Sequence, residues 1–256
     1  MPKQTMIRIW LFLLMGTHPA WSQTVTLVAD EWPPFNKSGD KEQGYMIDLA
    51  REAFAMEGMS VEYVVLPWKR AIMGVRKGLY DGLVGATRTE VPDFVFPEEE
   101  LAINYLSFFV TVESSWQFEG VDSLEYVTLA VTAGYDYRDW LNDYITLHKG
   151  DEYRIQTMFG HHPIERNLKL LLSGRVDVIV DNAASIRYTA RQISCQDQIR
   201  LAGKGTLPAY LYIAFSPQNT DSERLAEYLS VGLRRLRSSG RLSSILERYG
   251  LKDWRH

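Results

Sequence analysis

The sequence is poor in cysteine, has no long apolar run in its main part and carries no excess of positive charge. Cys195 is the only cysteine among 256 residues, so an internal disulfide is excluded and core burial must stabilise the fold. Acidic residues number 32 and basic residues 28, and without a basic stripe we expect no nucleic-acid partner. The spacing of His148, His161 and His162 matches no standard zinc motif, so we predict neither a metal nor a cofactor.

The N-terminus has the three-part layout of an export signal. Lys3 and Arg8 precede a short apolar run, and Ala20 and Ser22 are the small residues expected before a cleavage site. The run is shorter than the roughly 20 apolar residues that a membrane span needs, which disfavours the alternative of an uncleaved anchor. We therefore predict that residues 1–22 are a cleaved signal peptide, and that the mature protein is periplasmic with no stable membrane insertion.

Beyond that segment, the apolar pattern alternates between strand and helix in two successive units. Strands are predicted at 25–29, 61–66 and 82–86, then at 108–112, 127–132, 154–157, 176–180 and 211–215. Helices are predicted at 46–59 and 68–77, then at 136–148, 164–172, 183–192, 221–239 and 241–249. Such alternation favours an α/β fold with parallel sheets covered by helices.

Several short motifs in a fixed order point to a known family. They are Asp30-Glu31-Trp32-Pro33-Pro34-Phe35, Gly44-Tyr45-Met46-Ile47-Asp48-Leu49, Leu66-Pro67-Trp68-Lys69-Arg70-Ala71, Gly78-Leu79-Tyr80-Asp81-Gly82, Gly174-Arg175-Val176-Asp177 and the C-terminal pair Gly240-Arg241-Leu242 and Tyr249-Gly250-Leu251. Over nearly all of residues 24–254 the chain resembles the periplasmic solute-binding proteins of polar amino-acid ABC transporters, bacterial solute-binding family 3. Each motif alone is weak, and their order carries the resemblance.

The resemblance implies a two-lobed periplasmic-binding-protein fold of type II, with two α/β lobes joined by a two-strand hinge. It places residues 23–112 and 207–256 in the first lobe and residues 113–206 in the second. A monomer is expected to close its lobes on a small polar ligand, an amino acid or a related amine or acid, without chemistry. The expected partner is an inner-membrane ABC permease.

In the first lobe, the expected ligand contacts follow three strands, because ligands of open α/β sheets bind beyond the carboxyl ends of the strands. Trp32 and Trp68 occupy positions where the family places aromatic side chains around the ligand; packing within the lobe is the alternative. Gly85 and Ala86 match a segment whose backbone holds the ligand's polar head, and small residues allow close approach. A β-bulge is the alternative for this pair.

Arg88 is a candidate for binding a ligand carboxylate. Family members that bind amino acids carry a Thr-x-x-Arg segment after the third strand, and its arginine grips the carboxylate with two hydrogen bonds. Here Thr87-Arg88 is followed by no arginine at that offset. Arg88 either reaches the same place from an earlier position or points to solvent.

In the second lobe, four residues are candidate contacts. Tyr135 and Asp136 lie between a strand and a helix, where Asp136 alternatively caps the helix. Asp181 and Asn182 follow the buried strand at 176–180 and match the place of the acidic residue for the ligand amino group. A buried carboxylate needs a partner, and a ligand ammonium supplies one.

Two other functions remain open at this point. Glu31, Glu90 or Asp181 are candidate acid–base groups of a periplasmic enzyme on the same fold, of the dehydratase type. A closed, ligand-bound form could instead dock on a membrane sensor. The sequence does not separate the sensor function from transport.

Overall fold

The computed structural model describes residues 23–39, 42–160 and 162–255, and its strands form two separate five-stranded sheets. The predicted signal peptide, residues 1–22, lies outside the described residues. The first sheet has the strand order β2-β1-β3-β10-β4, and the second has the order β7-β6-β8-β5-β9. We refer to the two sheets with their helices as the first and second lobes, and the predicted two-lobed α/β fold is confirmed.

The first lobe combines both ends of the described chain. Its strands are β1 (Thr24–Ala29), β2 (Ser60–Val65), β3 (Gly82–Ala86), β4 (Ala102–Asn104) and β10 (Ala209–Phe215). Its helices are α1 (Tyr45–Ala55), α2 (Trp68–Arg76), α6 (Ser222–Ser238) and α7 (Arg241–Arg248). Strand β1 is parallel to β2 and β3, whereas β10 is antiparallel to β3 and β4.

The second lobe repeats this arrangement. Its strands are β5 (Leu106–Thr111), β6 (Leu129–Thr132), β7 (Ile155–Met158), β8 (Val178–Asn182) and β9 (Ile199–Lys204). Its helices are α3 (Asp139–Leu147), α4 (Pro163–Leu172) and α5 (Ala183–Gln192), with short 3-10 helices at Val121–Tyr126 and Gln196–Gln198. Strand β6 is parallel to β7 and β8, and β5 is antiparallel to β8 and β9.

The chain crosses between the lobes twice, and the first crossing differs from the expected place. Only Tyr105 separates β4 of the first sheet from β5 of the second, so the predicted boundary at 112 lies one strand too late. The second crossing lies between β9, which ends at Lys204, and β10, which begins at Ala209. Strand β5 is almost wholly buried, and a continuous apolar run has the same pattern whichever sheet it joins.

Both lobes have aromatic cores, and the first is closed by tight helix packing. A Cβ added to Gly232 of α6 would lie 2.5 Å from the Cβ of Ala53 in α1, so glycine allows these two helices to touch. Phe54 of α1 meets Phe215 of β10 edge-on at 6.3 Å. The C-terminal helices, which have no sheet of their own, therefore complete the first lobe.

Candidate functional site

The cleft between the lobes contains a pocket of about 70 Å³, room for a few water molecules. It is lined at the carboxyl ends of β1, β3 and β8 and in the loops that follow β2 and β6. We call it the inner chamber and define it by the polar and aromatic side chains of its lining together with Gly85: Asp30, Trp32, Asn36, Trp68, Gly85, Thr87, Glu90, Asn104, Tyr135, Asp136, Tyr137, Arg138, Asp181 and Asn182. Both lobes contribute residues to this lining.

Two hydrogen bonds from aromatic side chains to carboxylates cross from one lobe to the other beside the chamber. The indole Nε1 of Trp32 donates to Oδ1 of Asp181 at 2.9 Å. The hydroxyl of Tyr135 donates to Oδ2 of Asp30 at 3.0 Å. The structure is therefore the closed arrangement, because each bond joins side chains from opposite lobes.

The second indole of the chamber bonds within its own lobe. Nε1 of Trp68, at the start of α2, donates to Oε1 of Glu90 at 2.7 Å. Trp32, by contrast, stacks on Phe35 with ring centroids 4.4 Å apart, which leaves its N–H edge directed at the second lobe. Both indoles line the chamber; Trp68 packs on the core of the first lobe, whereas Trp32 packs against the cores of both lobes.

Of the neighbouring residues Gly85 and Ala86, only Gly85 lines the chamber. Gly85 lines the chamber with a φ of 85°, a left-handed conformation that favours glycine. A Cβ there would lie 3.9 Å from Trp32, so the backbone conformation rather than crowding explains the residue. Ala86 is fully buried in β3 and its side chain belongs to the first-lobe core, so the chamber lining does not include it.

Arg88, the sequence-based candidate for a carboxylate contact, is held away from the chamber. Its Nη2 donates to the carbonyl oxygen of Pro97 at 2.9 Å. Its guanidinium lies 4.8 Å from the ring centroids of both Phe96 and Tyr212, and it is not part of the chamber lining. Stacking between two rings accounts for Arg88 without a ligand.

The second-lobe candidates divide between loop support and chamber lining. Oδ1 of Asp136 accepts from the backbone N of Arg138 at 3.0 Å and from Asn142 at 2.7 Å. It thus orders the loop before α3, whose N-cap is Arg138, instead of capping the helix itself. Asn182 caps α5 by accepting from the N–H of Ala184 at 2.8 Å. Both residues also line the chamber.

The chamber lining has more acidic than basic side chains, and burial raises the pKa of three of its carboxyl groups. Burial, the largest cause, raises the pKa of Asp30 to about 7, with smaller opposing and supporting effects from Tyr135 and from the nearby carboxylates. Burial likewise raises the pKa of Asp181 to about 6 and raises that of Glu90. Oδ2 of Asp181 is buried and has no hydrogen-bond partner among the described residues. These carboxylates lack the counter-charge that a buried acid needs.

Sequence analysis missed Arg138, the one cationic side chain of the chamber lining. Its Nη2 donates to the carbonyl oxygen of Asn104 at 3.4 Å, at the end of β4 next to the hinge. Asn104 also accepts from Asn182 at 2.9 Å. A single arginine in a loop has no local pattern that marks it, so only the fold brings it to the chamber.

A second, larger cavity of about 380 Å³ adjoins the chamber. It shares Asp30, Trp68 and Tyr135 with the chamber and is otherwise lined from both lobes, by Lys69 and His162 among others. Nδ1 of His162 lies 3.5 Å from Oε2 of Glu31 across the gap. We call this space the outer cavity.

A family model decides the class of the protein. The model for bacterial extracellular solute-binding proteins, family 3, matches residues 25–252. The chain belongs to this family. No curated protein gives a significant match, so the family places this solute-binding protein without naming its ligand.

Solved structures agree with the fold at low identity. A structure described for glutathione import in Gram-positive bacteria, via GshT and the cystine ABC importer TcyBC of Streptococcus mutans, has a TM-score of 0.73 and 18% identity, and the match covers 89% of this chain and 95% of that one. An ancestral arginine-binding protein has a TM-score of 0.69 and 18% identity, covering 88% and 97%. A histidine kinase sensor domain has a TM-score of 0.69 and 22% identity, covering 89% and 96%. These likenesses concern the fold.

The described ranges contain neither a candidate membrane span nor a candidate metal site. In residues 23–39, 42–160 and 162–255, no helix combines the length and apolar character of a membrane span. The same residues contain no group of three or more His, Cys, Asp or Glu side chains placed to hold a metal ion. His161, one of the three histidines considered from sequence, is outside that part of the chain.

Proposed function

We propose that this solute-binding protein captures, in the periplasm, a small polar molecule that carries a cationic nitrogen, and delivers it to an inner-membrane ABC permease. The ligand occupies the inner chamber and the lobes close around it. The protein acts as a receptor and leaves the ligand chemically unchanged.

The observation that carries the proposal is the incomplete hydrogen bonding of the buried Asp181 carboxylate. Its Oδ1 accepts from Trp32, while its buried Oδ2 has no partner in the described part of the chain. An unsatisfied buried carboxylate oxygen costs free energy, and a ligand ammonium would supply the missing donor and the missing charge. Asp30 and Glu90 line the same chamber and favour a cation further.

The indoles support the same class of ligand. Trp32 and Trp68 both line the chamber, and a cation over an indole face gains about 0.5–2 kcal/mol when desolvated. Neutral or anionic ligands would gain neither this term nor the interaction with the carboxylates.

Closure follows from the bonds between the lobes. Trp32 to Asp181 and Tyr135 to Asp30 each join the two walls, and a ligand that contacts both walls favours the closed state by its differential affinity. A ligand too long for the chamber can extend into the outer cavity, which shares part of its lining.

Thermal-shift screening followed by calorimetry tests the proposal. The panel comprises amino acids, primary amines, guanidino compounds and organic acids, applied to the mature chain without residues 1–22. We expect a subset of cationic or zwitterionic compounds to raise the melting temperature in a concentration-dependent manner. Stabilisation by organic acids alone, or by no compound, would reject the cationic ligand.

A sensor role is the second candidate, and a specific likeness favours it. The histidine kinase sensor domain named above shares the fold over 89% of this chain. The same chamber would then report ligand to a membrane kinase. Affinity purification of the ligand-loaded protein from membranes separates the two: recovery of a permease supports delivery, and recovery of a kinase without a permease supports sensing.

An enzymatic role is the alternative that we do not favour. One similar structure is described as an ancestral amino-acid-binding protein, a precursor of cyclohexadienyl dehydratase. In this chain, Glu90 and Asp181 each accept an indole hydrogen bond, an arrangement that suits ligand recognition. Incubation with prephenate or arogenate is expected to leave both unchanged, and turnover would overrule the receptor function.

A further inference from the structure

The loop between β6 and α3 brings an arginine into the chamber in an unusual backbone conformation. Arg138 has φ 73°, in the left-handed region that non-glycine residues adopt only at a cost in conformational energy. Asp136 holds this turn by accepting from the backbone N of Arg138 at 3.0 Å. Such a conformation persists only where the surrounding contacts hold it, and here it positions the side chain in the chamber lining.

The guanidinium of Arg138 is incompletely satisfied. Nη2 makes one long hydrogen bond, 3.4 Å, to the carbonyl oxygen of Asn104. Nε is buried and has no hydrogen-bond partner in the described ranges. Asp136 and Asp139 lie close enough to interact with its charge, but the unpartnered Nε leaves hydrogen-bonding capacity on the guanidinium. An arginine fork matches a carboxylate with two parallel hydrogen bonds, so Arg138 can still bind an anion in this way.

Arg88 differs in every one of these respects. It is stacked between Phe96 and Tyr212, donates to Pro97 at 2.9 Å, and does not line the chamber. The first lobe therefore presents the carboxylates of Asp30 and Glu90 to the chamber but directs Arg88 elsewhere. The second lobe presents the chamber's one cationic side chain.

We propose that Arg138 binds an anionic group of the ligand, a carboxylate in the first instance, so that a zwitterion lies with its anion at the hinge side of the second lobe and its cation against Asp30, Glu90 and Asp181. The inference rests on the proposed function and adds the polarity of the ligand to it. The contact of Arg138 with Asn104 places the anion beside the first crossing between the lobes.

The experiment compares amino acids with their carboxamides, which keep the ammonium group and remove the negative charge. Calorimetry with arginine and argininamide, lysine and lysinamide, and any further pair found by screening, gives the preference for the acid in each variant. The variants are Arg138→Gln, Arg138→Lys, Arg88→Gln and, as a matched control on the exposed surface of the second lobe, Arg175→Gln.

We expect the unmodified protein to bind the acid at least about 30-fold more tightly than the carboxamide, the range for truncating one partner of a buried charge pair. Arg138→Gln should abolish this preference and leave carboxamide binding in place. Arg138→Lys should retain part of it, which keeps the test valid if the Gln variant folds poorly. Arg88→Gln and Arg175→Gln should retain all of it.

Three outcomes would overturn the inference. These are equal binding of acid and carboxamide by the unmodified protein, a preference that survives in Arg138→Gln, and a preference lost in Arg88→Gln. All three leave the receptor function standing, because the cation still binds. If no member of the panel binds, the proposed function fails and the inference falls with it.

Discussion

Trp32 and Trp68 line the same chamber and each donates an indole hydrogen bond to a carboxylate, but the two bonds lie differently relative to the cleft. The bond from Trp32 to Asp181, 2.9 Å, joins the first lobe to the second. The bond from Trp68 to Glu90, 2.7 Å, stays within the first lobe. Opening of the hinge must break the first and can leave the second intact.

The comparison shows that an indole–carboxylate hydrogen bond joins the two lobes at Trp32, whereas at Trp68 it fixes the orientation of a carboxylate within one lobe. Trp32 is stacked on Phe35, so its N–H is already oriented before the lobes meet. Trp68 instead orients Glu90, whose pKa is raised by burial, within the first-lobe wall of the chamber. Substitutions at the two pairs should therefore affect different steps of binding.

The largest effect is expected for the carboxylate that completes the pair across the cleft. Asp181→Asn keeps the size of the side chain and removes the charge that faces a ligand cation. Affinity should fall by about 30- to 1,000-fold, since one partner of a buried charge pair is lost. Calorimetry measures it, with Glu90→Gln as the within-lobe counterpart and Asp197→Asn, exposed on the second lobe, as the control. An equal loss of affinity in Asp181→Asn and Glu90→Gln would contradict the distinction between the pair across the cleft and the pair within the first lobe.

The next effect separates closure from ligand contact. Trp32→Phe removes the bond across the cleft, keeps a ring on Phe35, and should weaken binding about tenfold by favouring the open form. Trp68→Phe should change affinity without changing the open–closed balance. Small-angle scattering with and without ligand reports that balance. A Trp32→Phe protein as compact as the parent at saturating and at zero ligand would contradict the role of the bond.

The smallest expected effect is pH dependence. Burial raises the pKa of Asp30 to about 7 and that of Asp181 to about 6, so below pH 6 the closed chamber holds protons that a cation must displace. Affinity for a cation should rise several-fold between pH 5 and 7.5 and then level off, with proton release visible in buffers of different ionisation enthalpy.

The pH dependence of folding stability has the opposite sign to that produced by a salt-bridged acid. Because the folded-state pKa of Asp30 is raised, its contribution to stability is present below about pH 4 and is lost as pH rises towards 7. Tyr135, Asp181 and Glu90 face this carboxyl group. The variant His162→Gln controls for the imidazole beside Glu31. A pH-independent affinity in that variant would contradict a titrating chamber.

Much of the architecture could be predicted from local patterns. Helices α2, α5 and α6 and strands β1 and β3 lie within a residue or so of their predicted limits, because each has a clear apolar period and a turn signal at its ends. The short strand β4 and strand β9 were missed. Their pairing partners lie far away in sequence, and neither has a strong local pattern.

The candidate site was predicted unevenly. Trp32, Trp68, Gly85, Tyr135, Asp136, Asp181 and Asn182 all line the chamber, although their contact with a ligand stays a prediction. Ala86 does not line it because its side chain is buried in the first-lobe core, and Arg88 does not because its guanidinium is stacked between two rings. Arg138 was not considered from sequence, because its neighbours give no sign that its loop faces the first lobe.

The sequence by itself determined the class of fold and family, because periodic burial and ordered motifs are properties of neighbouring residues. Only the tertiary structure decided where the chain crosses between the sheets, which arginine reaches the chamber, and which indole bond joins the lobes. Those outcomes depend on residues far apart in the chain, such as Trp32 and Asp181, whose distance no local pattern encodes.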